Sequence, residues 1–224
     1  MKFAIFSLII FLAQVESKAV KNSTNESSAY KRMEDRALQL VESLFNAIEI
    51  IKPSGDTYSA QFGALYLHAS SEDSILRLDH GDVLSTDFPD IIQLKPKEIV
   101  WPADDETNLA VAKIARLGLN GHSEYLLLMK LAAMLTYFQV THQQACPTYI
   151  VIITKLPPCH KPNDQVGCTT TIIERFNEAN NTCPHPATRY VVGHHEMPKT
   201  PSDTLDWGSA RQLLENANIR VIQV

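Results

Sequence analysis

The sequence predicts an α/β domain in which helices cover both faces of one sheet. From about residue 148 onward, β-branched runs alternate with amphipathic segments, as expected when crossover helices join parallel strands. The run at 148–154 is almost continuously apolar, which is typical of a strand buried on both faces. With 224 residues, 45% of them hydrophobic, the chain is long enough for one such domain with an insertion.

The first half of the chain predicts one helix and two strands, followed by an insertion. Between residues 30 and 51, apolar residues recur every three or four positions, which predicts an amphipathic helix that ends at a Pro-Ser-Gly stop. Residues 58–69 are rich in aromatic side chains and predict a strand, with residues 75–78 as its hairpin partner. Residues 79–118 are interpreted as an insertion, within which residues 107–117 look helical.

The second half predicts a regular alternation of helices and strands. A long helix over residues 122–138 precedes the buried strand at 148–154. The later elements are a helix at 168–179, a strand at 189–193, a helix at 209–218 and a strand at 219–224. Because helices connect these later strands, we expect the strands to be parallel.

The amino-terminal residues predict a secreted protein. Lys2 makes a short basic start, and residues 3–12 are uncharged and apolar or small. Val15 and Ser17 fit the small-residue rule, which predicts a signal peptide cleaved after Ser17. The apolar run is shorter than the roughly 18 to 20 residues of a membrane span, so we expect no membrane association after cleavage of residues 1–17.

Sequons and charge agree with a secreted globular chain. Asn22, Asn25 and Asn180 each begin an Asn-X-Ser/Thr triplet and are candidate glycosylation sites. The first two lie in a Ser/Asn/Lys-rich stretch at 18–28 that predicts a flexible tail, which leaves residues 29–224 as the folded domain. The net charge of −5 argues against a non-specific coat on nucleic acid, because such a coat needs clustered Lys and Arg.

His122, Cys159 and Cys168 form a candidate zinc-binding set. His122 begins a predicted helix, Cys159 follows the buried strand and Cys168 opens the next helix. One histidine and two cysteines leave a fourth position for water, which is the pattern of catalytic rather than structural zinc. Glu124 could lie beside the metal without binding it. The alternatives are a Cys159–Cys168 disulfide and a capping or surface role for His122.

This arrangement resembles the zinc-dependent deaminases that act on cytidine, deoxycytidylate, tRNA adenosine and polynucleotides, whose signature is H-x-E followed by P-C-x-x-C. His122-Ser-Glu124 matches the first part and Pro158-Cys159 matches the start of the second. Eight residues separate Cys159 from Cys168, whereas the family usually has two to four. The resemblance implies a three-layer α/β/α, cytidine-deaminase-like fold, with a mixed five-stranded sheet whose later strands are parallel.

The same resemblance implies a function. His122, Cys159 and Cys168 would hold zinc, and Glu124 would carry protons during hydrolytic deamination of a cytosine or adenine base. In the superfamily, a helix between the last two strands is typical of enzymes that act on polynucleotides and of several that act on nucleotides and small bases, and residues 209–218 predict such a helix. Two rival hypotheses are a non-catalytic secreted protein of the same fold with a binding or defence role, and an unrelated secreted α/β domain with two disulfides.

The four cysteines predict one disulfide. Cys146 and Cys183 each precede a predicted strand, and if those strands are parallel neighbours, both residues lie at one edge of the sheet. Cys159 and Cys168 then lie at the opposite edge, over ~20 Å away along the intervening strand and beyond the reach of a disulfide. We therefore expect a Cys146–Cys183 bond, which leaves the other two cysteines for zinc.

Overall fold

The computed structural model describes nine stretches of the chain, residues 35–46, 48–50, 62–69, 92–94, 99–104, 106–113, 121–160, 167–195 and 207–224. The chain divides into two compact units, Met1–Gln39 and Leu40–Val224. Within the first unit only residues 35–39 are described, and they are helical. The predicted signal peptide, the tail with Asn22 and Asn25, and the predicted strand at 75–78 lie outside the described residues.

A mixed six-stranded sheet forms the centre of the second unit. The described strands are β1 (Ile48–Ile50), β2 (Phe62–His68), β3 (Ile92–Leu94), β4 (Val100–Trp101), β5 (Leu109–Lys113), β6 (Tyr149–Thr154), β7 (Arg189–His194) and β8 (Ile219–Gln223). The sheet order is β4-β5-β2-β6-β7-β8, and β1 pairs with β3 in a separate parallel pair. β2 is antiparallel to both β5 and β6, whereas β6, β7 and β8 are parallel, as predicted for the later strands.

Helices lie on both faces of this sheet. They are α1 (residues 35–46), α2 (Ser123–Leu128), α3 (Leu131–Thr141), α4 (Cys168–Thr182) and α5 (Trp207–Asn216). On one face, apolar side chains of α2 to α5 share a single core with side chains of β2, β6 and β7. On the other face, Val41 of α1 packs so closely on Gly193 that a Cβ at Gly193 would lie 2.6 Å from Val41 Cγ1. The second unit is therefore a mixed α/β fold, with β6 buried along its whole length.

The sheet differs from the predicted one on its β5 side. Residues 107–117 were expected to be helical, but Leu109–Lys113 form β5, which pairs with β2 and with β4. All five residues of β5 are buried, and a strand that is buried on both faces has the same continuous apolar pattern as a helix. Both sides of β2 pair with described strands, β5 on one side and β6 on the other, and each of them is antiparallel to β2. The additional edge strand β4 makes the sheet six-stranded rather than five-stranded.

Two helix boundaries also differ from the prediction. The helical residues of α1 end at residue 46, and Ile48, expected inside this helix, lies in β1 opposite Ile92. The single helix expected at 122–138 is two helices, because the Lys130 N–H donates to Leu127 O in a tight turn. The Lys130 ammonium donates to the carbonyls of Ala103 and Asp104, which ties this turn to the segment after β4. In the described part of the chain, no helix is both long enough and apolar enough to cross a membrane.

Candidate metal centre

Three chain segments meet near the carboxyl end of β6. α2 begins at Ser123, with His122 in extended conformation just before it. β6 ends at Thr154, and the chain then continues to Cys159. α4 begins at Cys168. The carboxyl ends of parallel strands in α/β sheets are the usual place for ligand sites, because the chain leaves the sheet there in loops.

Hydrogen bonds to the backbone fasten the Cys159 segment to the start of α4. The Thr169 N–H donates to Cys159 O at 3.0 Å, and Thr169 Oγ1 donates to Pro158 O at 3.4 Å. The Cys168 N–H donates to Cys159 Sγ at 3.1 Å. These contacts hold both cysteines in register although eight residues separate them in the sequence.

The structure brings the three predicted ligands together. His122 Nδ1 lies 3.1 Å from Cys168 Sγ and 3.7 Å from Cys159 Sγ. The two sulfurs lie 3.0 Å apart, and both cysteines are free thiols. Among the described residues, His122, Cys159 and Cys168 form a group of possible ligands that lie close enough together to hold a metal ion.

The donor set fits zinc in chemistry and in spacing. Imidazole nitrogen and thiolate sulfur are the preferred donors of zinc, and four-coordinate tetrahedral geometry places such donors about 3.6 to 3.8 Å apart. The His122 Nδ1 to Cys159 Sγ distance of 3.7 Å matches that spacing. The 3.1 Å from His122 Nδ1 to Cys168 Sγ and the 3.0 Å between the sulfurs would each need to open by under about 1 Å. Three protein donors leave one coordination position for a water or a substrate.

The two thiols are electrostatically unequal. The hydrogen bond between Cys159 and Cys168 lowers the pKa of Cys159 to about 4, although burial acts in the opposite direction. The nearby His122 also lowers the pKa of Cys159. The same hydrogen bond, together with burial, raises the pKa of Cys168. The electrostatics therefore favour the thiolate form at Cys159 over Cys168, and thiolate is the form of cysteine that binds a metal.

Glu124 lies buried beside the three donors and is only 7% exposed. Burial raises the pKa of its carboxyl group, and the charge of Cys159 raises it further. Ser123 Oγ donates a hydrogen bond to Glu124 Oε2 at 3.1 Å and so orients the carboxyl group. Burial thus shifts the pKa of the Glu124 carboxyl group in the direction that general acid–base catalysis by a carboxyl group uses.

Several residues that build the site were not expected from the sequence. Gly63 of β2 lies directly against α2, since a Cβ there would be 3.2 Å from both Ser123 Oγ and Leu127 Cδ1. Ser123 and Thr169 supply the hydrogen bonds described above. An isolated glycine within a strand pattern is a known sign of close approach, whereas nothing in the sequence distinguishes Ser123 or Thr169 from other hydroxyl residues.

The other predicted site residues lie away from the metal centre. Cys146 and Cys183 form the predicted disulfide, with a Cα–Cα distance of 5.5 Å, at the amino ends of β6 and β7. Asn180 lies half-buried in α4, and its Oδ1 accepts the His185 N–H at 2.8 Å.

No protein-family model matches the sequence, and the comparison with curated proteins finds no significant match.

Proposed function

We propose that this chain is a zinc-dependent hydrolytic deaminase that acts on a cytosine or adenine base. The observation that carries the proposal is the convergence of His122 Nδ1 and the Cys159 and Cys168 sulfurs within 4.8 Å of one another, beside the buried carboxyl group of Glu124. The H-x-E and P-C motifs supply these side chains in the chain order that the deaminase superfamily uses. Membership of that superfamily is part of the proposal.

Zinc in such an open three-donor site would supply an activated water at neutral pH. His122, Cys159 and Cys168 hold the donor geometry, and the backbone N–H of Cys168 keeps Cys159 in place. Glu124 would take one proton from the attacking water and pass it to the ring nitrogen, and would then take the proton of the hydroxyl group added to the ring carbon and pass it to the departing amino group. The balanced reaction consumes the aminated base and water and yields the carbonyl base and ammonia.

The last two strands support a nucleotide or a nucleic acid as the substrate. β8 is parallel to β7, and α5 connects them, as in the group of the superfamily that acts on polynucleotides and includes several nucleotide and small-base enzymes. The net charge of −5 favours recognition through local contacts rather than through a broad basic surface. The base presented in a nucleotide or in a nucleic acid is therefore the proposed substrate.

The test measures zinc content and ammonia release on the same protein. We expect one zinc per chain and ammonia release from a panel of cytosine and adenine nucleotides and single-stranded oligonucleotides. Glu124→Gln should keep its zinc and lose activity by roughly 10²-fold or more, the usual scale of a lost general acid–base. Cys168→Ser should lose the metal as well, because only two of the three donors remain.

Glu215→Gln is the matched control, because it removes an exposed carboxylate of α5 that pairs with Arg211. This variant should keep both zinc and activity. A native protein without zinc, or an active Glu124→Gln variant, would contradict the proposal.

We also propose that the chain is secreted after cleavage at Ser17 and is glycosylated at Asn22, Asn25 or Asn180. Expression in eukaryotic cells should yield a protein in the culture medium that begins at Lys18 and that loses mass when it is treated with an N-glycosidase. An intracellular protein that retains Met1 would contradict this part.

A further inference from the structure

The two thiols of the candidate metal centre have a geometry that permits a second chemistry. Their sulfurs lie 3.0 Å apart, so a movement of about 1 Å would bring them to the ~2.05 Å of a disulfide. In the described part of the chain, the other two cysteines are already joined as Cys146–Cys183. Oxidising conditions that form that bond would also act on an unprotected Cys159–Cys168 pair.

We propose that Cys159 and Cys168 form a reversible disulfide, so that oxidation and metal binding are mutually exclusive states of one site. The proposal rests on the proposed function only in naming zinc as the protecting ion. The disulfide would consume both sulfur donors, and His122 alone would not retain the metal. The site would then bind metal and act only while its thiols are reduced.

The two cysteines have different roles because they differ in exposure. Cys159 is partly exposed, whereas Cys168 is fully buried at the start of α4. A small-molecule disulfide can therefore reach Cys159 and not Cys168. Cys168 lies within contact of the Cys159 sulfur, which places it to complete the reaction from inside.

The reaction takes place in two balanced exchange steps, with a small-molecule disulfide such as oxidised glutathione as the oxidant. The Cys159 thiolate attacks one sulfur of the oxidant, which forms a mixed disulfide and releases one small thiolate. The Cys168 sulfur then attacks the Cys159 sulfur, and the second small thiolate leaves and takes up the proton of Cys168. Two protein thiols are oxidised, the oxidant is reduced to two thiols, and a reductant reverses both steps.

The experiment uses the full chain, prepared with and without zinc and then exposed to oxidised glutathione. We expect the zinc-free protein to lose two free thiols and two hydrogens in mass, with a Cys159–Cys168 crosslink in its peptide map. Zinc should slow this loss by roughly tenfold or more, because a coordinated thiolate is not free to attack. A reductant should restore both thiols and the capacity for one zinc.

Two variants separate the roles of the cysteines. Cys168→Ser should accumulate a stable glutathione adduct at Cys159, since no resolving thiol remains. Cys159→Ser should gain no adduct at Cys168 while the protein stays folded, which circular dichroism checks. An adduct at Cys168, or a zinc-free protein that keeps both thiols, would overturn the proposal.

Equal oxidation rates with and without zinc would also overturn it. Because the readouts are mass and thiol count, a protein without deaminase activity still tests this inference. Conversely, a redox-active pair in a protein without deaminase activity would refute the proposed function alone.

Discussion

At the scale of single residues, two glycines decide how closely helices approach the sheet. A Cβ at Gly63 would lie 2.8 Å from Ile153 O and 3.2 Å from Leu127 Cδ1, on the face that carries α2. A Cβ at Gly193 would meet Val41 of α1 on the opposite face. The two positions are close in the sheet, because Gly63 is opposite Thr154 and Gly193 is opposite Ile153.

Substitution of each glycine by alanine should lower stability in both variants but weaken metal binding in only one of them. Gly63→Ala and Gly193→Ala should each lower the free energy of unfolding by about 1 to 3 kcal/mol, as overpacking does. Gly63→Ala should also weaken zinc binding, because its new methyl group presses on the helix that follows His122. Urea unfolding and zinc titration of the two variants measure these effects.

Gly193→Ala is the matched control, since its methyl group faces α1 and not the metal centre. Combining it with Val41→Ala should recover part of the lost stability, because the clash involves Val41 Cγ1 and Cγ2. Equal loss of zinc affinity in both glycine variants would show that α2 does not transmit the effect.

At the scale of elements, the disulfide joins the segment before β6 to the end of α4. Cys146 and Cys183 are 37 residues apart in the sequence, so the bond restricts a long loop of the unfolded chain. Tyr190 of β7 supports the same corner by donating its hydroxyl group to Cys183 O at 2.8 Å. The disulfide therefore lies at the amino ends of β6 and β7, and the metal centre lies at the opposite end of β6.

Removal of this disulfide should reduce stability without emptying the metal centre. The double variant Cys146→Ser/Cys183→Ser should lose about 3 to 4 kcal/mol of unfolding free energy, the chain-entropy value for a loop of this length. Zinc stoichiometry should stay at one per chain, because no ligand lies on the altered corner. Denaturant unfolding and metal analysis check both expectations, and loss of zinc would contradict the separation of the two cysteine pairs.

Some helices and strands could be predicted from the sequence, whereas others could not. β6, α4, β7 and β8 were predicted nearly at their observed bounds, because each combines a clear period with a proline, glycine or asparagine boundary. β5 was mistaken for a helix, because Leu-Ala-Val-Ala-Lys suits both structures when every residue is buried. The break between α2 and α3 depends on Lys130 bonding to a distant segment, which no local pattern records.

At the scale of the whole molecule, metal binding would join segments that are far apart in the sequence. The three donors come from the start of α2, the loop after β6 and the start of α4. A ligand that binds only the folded state stabilises it by about 2.7 kcal/mol when its concentration is a hundred times its dissociation constant. The core between the sheet and α2 to α5 is extensive, so the fold should persist without metal.

Removal of zinc should therefore lower the melting temperature without unfolding the chain at room temperature. A shift of roughly 5 to 10 °C corresponds to that free energy in a domain of this size. Thermal melts with and without a chelator measure the shift, and Cys168→Ser should melt at the same temperature in both. Complete unfolding on chelation would instead indicate a structural zinc site.

The sequence by itself determined the α/β class, the parallel later strands, the disulfide and the identity of the candidate ligands. These conclusions depend on local periodicity, on residue chemistry and on the direction imposed by crossover connections. Only the tertiary structure decided the strand identity of β5, the added edge strand β4, and the approach of Gly63 and Ser123 to the site. It also decided that His122 faces both sulfurs through Nδ1 and that only Cys159 is accessible. The physical reason is that pairing, burial and distance between remote segments arise only when the whole core packs, whereas chain order and local pattern are present in every segment.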